Sequence, residues 1–228
     1  GPGCARAKGT DKVLKGSPLL ALSVPDRFDK YIFCDEDEAS IEALQIRISR
    51  HFPNCKAVYV IGDANQKADE ILNHIPQYSK TNTVLSFCFV DPNDLGIHFN
   101  TLRTLVANRL ADYLILLALF MDVNRNVRNY TDSTSMKVEN FLGDKSWREK
   151  WGEFRRKNDS FPLFIAREFE QHLLSLDFKK AEDGNKLEFR SDEKNLPLYH
   201  LSYFSKHPRG YDFWEKAKKG MSQPTLGL

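Results

Sequence analysis

The chain has 228 residues, room for one large domain or one domain with an insertion, and its 41% hydrophobic and 12% aromatic content excludes a disordered or low-complexity protein. The longest apolar stretch, Tyr113 to Met121, is about half of the ~20 residues that cross a bilayer, and no secretory signal opens the chain. The net charge is only +2, and its basic segments, each at about a net +3, are no polybasic arm; four cysteines without zinc-type spacing point to a reduced, cytoplasmic protein with no metal site.

In chain order, a glycine turn, Gly1-Pro2-Gly3, comes first, and Gly16-Ser17-Pro18 follows it. The run Lys30 to Cys34 reads as a strand that stops at Asp35-Glu36-Asp37-Glu38. Ile41, Leu44, Ile48 and Phe52 then recur at helical spacing, and the acidic start suits the positive end of a helix dipole. Ala57 to Ile61 is β-branched and apolar and ends at Gly62-Asp63. Ala68, Ile71, Leu72 and Ile75 make the next helical stripe, which Pro76 ends. A third strand, Val84 to Val90, stops at Asp91-Pro92; Phe99, Leu102, Leu105 and Val106 predict a helix, and Asp112 to Phe120 a fourth strand.

These strands read as apolar on both faces, the pattern of a parallel sheet covered by helices on each side. The expectation is an α/β fold with a doubly wound, mostly parallel, Rossmann-like sheet. Residues 123–157 are polar and basic and read as a helical insertion, so the α/β domain comprises 1–122 and 158–228. A long helix from Pro162 to Leu176 follows, then a C-terminal strand pair, Phe178 to Arg190 and Tyr199 to Ser205, and a last helix from Gly210 that ends at Gly220.

Charge is unevenly spread. Residues 31–100 hold ten acidic and five basic side chains, whereas 128–157 hold eight basic and five acidic, and 206–220 five and two. The basic insertion, 123–157, and the C-terminal segment 206–220 are therefore the expected contacts for a polyanion such as nucleic acid.

In an open parallel sheet, ligands bind beyond the carboxyl ends of the strands. Three successive strands end at an acid, Asp35, Asp63 and Asp91, which together suit a ligand rich in hydroxyl and amine donors, such as a nucleoside. Neither G-x-G-x-x-G nor G-x-x-x-x-G-K-[ST] is present, which argues against a dinucleotide site or an NTPase phosphate loop.

The order of Gly-Pro-Gly, strand-end acid, Gly-Asp-Ala and Asp-Pro resembles the class I S-adenosylmethionine-dependent methyltransferases. GSPLLAL at 16–22, YIFCDED at 31–37, GDAN at 62–65, FVDP at 89–92 and YHLSYFSKHPRGYDFWEKAK at 199–218 are similar to the three-Cys-motif partner proteins, a bacterial family with a methyltransferase-like fold. The resemblance implies S-adenosylmethionine as cofactor and, as partner, a radical-enzyme-like protein that carries the three-cysteine motif. It further implies that Gly1, Gly3 and Ser17 form the first cofactor loop, with Gly1 and Gly3 beside the methionine moiety. Asp35, with Glu36 as fallback, would hold the ribose hydroxyls, Asp63 and Ala64 the adenine, and Asp91 and Pro92 would close the site beside the transferred methyl group.

Two departures stand out. The strand expected before the glycine loop is missing ahead of Gly1. The fourth motif reads Asp91-Pro92-Asn93-Asp94, without the second proline and aromatic of enzymes that methylate base amino groups. A non-catalytic binding module on the same fold is therefore the alternative, and a nicotinamide-dependent oxidoreductase a distant third. Trp147 and Trp151, one turn apart, read as a packed helix face before a base-stacking platform. His98 reads as a helix-surface residue, and His207 as either a turn cap or a substrate neighbour.

Overall fold

The structure, a computed structural model, describes residues 1–6, 11, 13–107, 109–157, 159–181, 184–191, 195–220 and 225–226. The chain divides into two compact units, Gly1–Pro76 and Gln77–Leu228.

In the first unit, β1 (Cys4–Arg6) and β2 (Val13–Lys15) pair antiparallel. A short helix, α1 (Ser17–Leu22), starts with Pro18 in its first turn, where a missing N–H costs nothing. Then β3 (Tyr31–Asp35), α2 (Glu38–His51) and β4 (Ala57–Ile61) form a βαβ unit, the strands parallel from Tyr31↔Ala57 to Asp35↔Ile61. α3 (Ala64–Asn73) closes the unit. The stripe read from sequence buries Ile41, Leu44 and Ile48 of α2, and Arg50 and His51 stand in its last turn, at the negative end of the dipole. Leu44 and Ile48 join Leu19, Leu22 and Tyr31 in one core, each aliphatic side chain contributing about 1.5–3 kcal/mol on burial.

The second unit carries β5 (Leu85–Val90), α4 (Phe99–Leu105) and β6 (Leu110–Leu117), followed by α5 (Val127–Thr131), α6 (Lys137–Leu142), α7 (Trp147–Arg155) and α8 (Phe161–Leu174). It ends with β7 (Lys186–Ser191), β8 (Pro197–Phe204), α9 (Pro208–Gly220) and the two-residue β9 (Thr225–Leu226). The strand order is β5-β6-β8-β7-β9. β5–β6 and β7–β9 are parallel, while β8 runs antiparallel to both β6 and β7.

The fold is thus mixed α/β with parallel strands, and three expectations need correction. The described sheets are not mostly parallel, because the C-terminal strand pair enters antiparallel. The strand expected over Asp112 to Phe120 stops at Leu117, where a π-helical turn, Leu119–Val123, buries Leu119 and Val123 instead. β5 is not apolar on two buried faces: Leu85, Phe87 and Phe89 are exposed and alternate with half-buried Ser86, Cys88 and Val90.

Segment 123–157 is also more than a polar insertion. Val138, Phe141, Leu142 and Trp147 are fully buried, and Phe141 stacks on Phe169 of α8 with ring centroids 4.5 Å apart. Its charged side chains surround an apolar stripe that supplies core to the unit. Among the described residues, no helix is long and apolar enough to cross a membrane.

Candidate functional site

The strand ends of the first unit bring several of the expected cofactor residues together. β3 and β4 are parallel neighbours, so Asp35 at the end of β3 and Asp63, two residues beyond β4, emerge at the same edge. Gly62 N–H donates to Asp35 O at 2.9 Å and locks this edge. The Asp35 side chain accepts from the Asp37 N–H at 3.0 Å and from the Gly1 amine. Burial opposes ionisation of Asp35, but the Gly1 amine and the Asp37 N–H outweigh it and hold the carboxyl below its ordinary range. Glu36 is exposed next to it.

Asp63 has a structural task as well. It is the N-cap of α3, its Oδ1 accepting from Asn65 N–H at 2.9 Å, and Ala64 is the first helical residue. The glycine turn is likewise shaped by packing. Gly3 has φ +84°, and a Cβ there would lie 2.9 Å from Leu44 Cδ1 and 3.0 Å from Leu19 Cγ. Gly16 N–H donates to Gly3 O at 2.7 Å, which sets exposed Ser17 at the start of α1. Cys34 lies on the same strand, its thiol pushed up to about 11 by burial and then by the charges of Asp35 and Asp63.

Asp91 and Pro92 belong to the second unit, just beyond β5. Partial desolvation raises the Asp91 carboxyl above its ordinary value. Tyr199 of β8 lies near enough that, after burial, the Asp91 charge helps raise its phenol; it stacks on Phe189 at 4.9 Å. Sequence reasoning did not pair Tyr199 with Asp91, because only the strand order β5-β6-β8 brings them near each other. Asp94 of the same turn is held by Lys137 of α6.

The C-terminal run that carried much of the resemblance is a packing device. Ser205 Oγ accepts from His207 N–H at 3.1 Å, and His207 Nδ1 accepts from Arg209 N–H at 3.1 Å, so His207 caps the turn into α9. Gly210 lies against Ser205 and Tyr203, and Trp214 stacks on Tyr203 at 5.4 Å. His98 is the N-cap residue of α4.

A cluster that sequence reasoning missed joins the loop between α6 and α7 to α8. Asp144, Glu168 and His172 offer ligand atoms within 4.8 Å of one another. Lys150 Nζ sits on Asp144 at 2.7 Å and Glu168 at 3.3 Å, so the chain supplies its own cation here. His172 Nδ1 meets Leu142 O at 2.5 Å. The legible signal was the i, i+4 spacing of Glu168 and His172 on one helix face. Trp147, considered for base stacking, is wholly buried, whereas Trp151 is half-buried.

No protein-family model matches the chain, and no curated protein matches it.

Proposed function

We propose that the chain is an S-adenosylmethionine-dependent methyltransferase with a doubly wound, class I-like arrangement, working with a radical-enzyme-like partner on a nucleic-acid substrate. The observation that carries this reading is the pair of carboxylates, Asp35 and Asp63, at one edge of a parallel strand pair behind a tight glycine turn. The donor chemistry supports a nucleoside: an ionised Asp35 can accept both hydroxyls of a ribose, and Asp63 with Ala64 is the pair this reading assigns to the adenine.

When bound, S-adenosylmethionine supplies an electrophilic methyl group. The first unit's own part is to hold the nucleoside through Asp35 with Glu36 beside it and to keep Gly1, Gly3 and Ser17 for the methionine end, while Asp91-Pro92 of the second unit is the proposed acceptor turn. Asp91, an exposed residue whose carboxyl is raised above its ordinary value by partial desolvation, is the group to take the proton that the acceptor gives up. Positioning supplies most of the acceleration.

Calorimetry with S-adenosylmethionine and S-adenosylhomocysteine tests the reading. Binding of both is expected, and Asp35→Ala is expected to weaken it by roughly tenfold or more, the loss of charge-assisted bonds to a diol. Absence of binding with either compound refutes it.

One observation favours a non-catalytic binding module instead. The Asp91-Pro92-Asn93-Asp94 turn is tied to α6 through Asp94–Lys137 and lacks an adjacent aromatic. Nucleoside binding without methyl transfer, with a partner complex that survives Asp91→Ala, would select that reading.

A further inference from the structure

We propose that a basic aromatic cleft in the second unit binds a nucleotide phosphate together with its base. The cleft, about 670 Å³, is walled by α5, α7 and the start of α8, with Arg128, Arg148 and Arg155 facing a single acid, Asp159, among its lining residues. It holds room for a mononucleotide, at the middle of the range for small-ligand sites.

The three guanidiniums are not equivalent. Arg148 is a fixed part of the wall: its guanidinium lies 4.3 Å over the Trp147 ring and donates to Asp132 O at 2.7 Å and Ser135 O at 2.8 Å. Arg128 and Arg155 are exposed and form no ion pair or hydrogen bond with any described side chain. Elsewhere in the unit, cations such as Lys137, Lys150 and Lys186 are committed to carboxylates. Two uncommitted guanidiniums beside a third that is immobilised make a local excess of positive charge, and planar forked donors match phosphate oxygens.

The aromatic wall adds the second half of the argument. Trp151 is half-buried, and its ring is braced by Phe161 at 5.0 Å and Phe164 at 5.4 Å, so it offers a rigid aromatic surface at low entropic cost. Trp147 also lines the cleft, and its indole N–H is buried without a partner. A phosphate alone would use the arginines and leave the aromatic surface idle. A nucleotide uses both, and a single strand presents the same chemistry as a free nucleotide.

The inference deepens the nucleic-acid half of the proposed function, yet it does not require S-adenosylmethionine to bind the first unit. Two of the three tryptophans line the cleft, so the intrinsic fluorescence of the full chain reports occupancy. The probes are adenosine 5′-monophosphate, a short oligothymidylate and inorganic phosphate, each titrated at several salt concentrations. Quenching by one or both nucleotide probes is expected, with inorganic phosphate at least about tenfold weaker because it lacks the stacking contact. Tighter binding of the oligothymidylate identifies a strand as the source, and tighter or equal binding of the mononucleotide a free nucleotide.

Arg128→Gln with Arg155→Gln is expected to weaken the better nucleotide probe by about tenfold or more. If that probe is the strand, the double variant also flattens the log Kd against log salt slope by about 1.4, at ~0.7 for each lost phosphate contact. Both side chains are exposed and uncommitted, so the variant keeps its fold, which circular dichroism checks. The proposal is overturned if neither nucleotide binds, if phosphate binds as tightly as the nucleotides, or if the double variant binds like the parent. Calorimetric failure with S-adenosylmethionine would leave each of these outcomes standing.

Discussion

Replacing Lys150 with methionine removes the one cation shared by Asp144 and Glu168 while keeping most of the aliphatic stem. Burial works against ionisation of Asp144, but Lys150, Ser146 Oγ–H and Ser146 N–H together bring its carboxyl down from 3.8 to about 2. A depression of that size corresponds to about 2.5 kcal/mol at neutral pH, and with Lys150 43% exposed, solvent screening cuts the share due to the ion pair to about 1 kcal/mol. The uncompensated Glu168, 8% exposed, adds about 1 kcal/mol more. Because the folded-state value lies below the unfolded one, this stabilisation is complete above pH ~3.8 and fades as pH falls through about 2. Urea unfolding is therefore expected to show Lys150→Met costing about 2 kcal/mol at pH 7 and much less near pH 2. An equal cost at both pH values would show that the stem's packing, and not the charge, is what the substitution removes.

Gly210→Ala tests the C-terminal packing. Helix propensity alone favours alanine by about 1 kcal/mol, yet its Cβ would overlap Ser205 Oγ and lie 2.7 Å from Tyr203 Oη, so a net loss of about 1–3 kcal/mol is expected in thermal unfolding; a stabilised variant would contradict the contact. Trp147→Ala is expected to cost about 3–5 kcal/mol and Trp147→Phe far less, since the latter also deletes an unmet buried donor. Denaturant midpoints that rank the two variants the other way would mean that Trp147 is not core. Burial pushes the Cys88 thiol up to about 12, and burial with the neighbouring acids pushes Cys34 to about 11. Alkylation followed by mass mapping near pH 8 is expected to leave these two for last, and Asp35→Asn to speed Cys34. An unchanged Cys34 rate would show that the Asp35 charge does not reach it.

Local patterns carried well where burial followed a single period. β4 and its bounds were legible because five β-branched or apolar residues stand between a polar stretch and Gly62-Asp63; α2 was legible because Ile41, Leu44 and Ile48 lie on one stripe. The hairpin of β1 and β2 was hidden, since three-residue strands carry too few side chains to show an alternation. The π-helical turn after Leu117 was hidden for a different reason. Phe120 and Met121 prolong the apolar run, and only the tertiary demand to bury Leu119 and Val123 bends the backbone there.

The candidate site shows the same division. Asp35 and Asp63 could be read from strand ends, because the end of an apolar run is a local event. That Asp63 also caps α3, that Gly3 is required by Leu19 and Leu44, and that Tyr199 approaches Asp91 depend on contacts between residues far apart in the chain. The Arg and Trp residues that line the cleft were visible as composition. Their separation into one buried indole, one fixed guanidinium and two uncommitted ones was not, since it rests on which carbonyls and rings lie within reach.

The exposed row on β5 has a practical consequence for anyone handling the protein. No described strand pairs with its outer edge, and the segment LSFCFV has no charge, no proline and no glycine. An apolar edge strand of this kind is a template for another copy of itself. Yield and shelf life will then depend on concentration more than on thermal stability. A single lysine in place of Leu85, 75% exposed, would break the strand's self-affinity without disturbing the core.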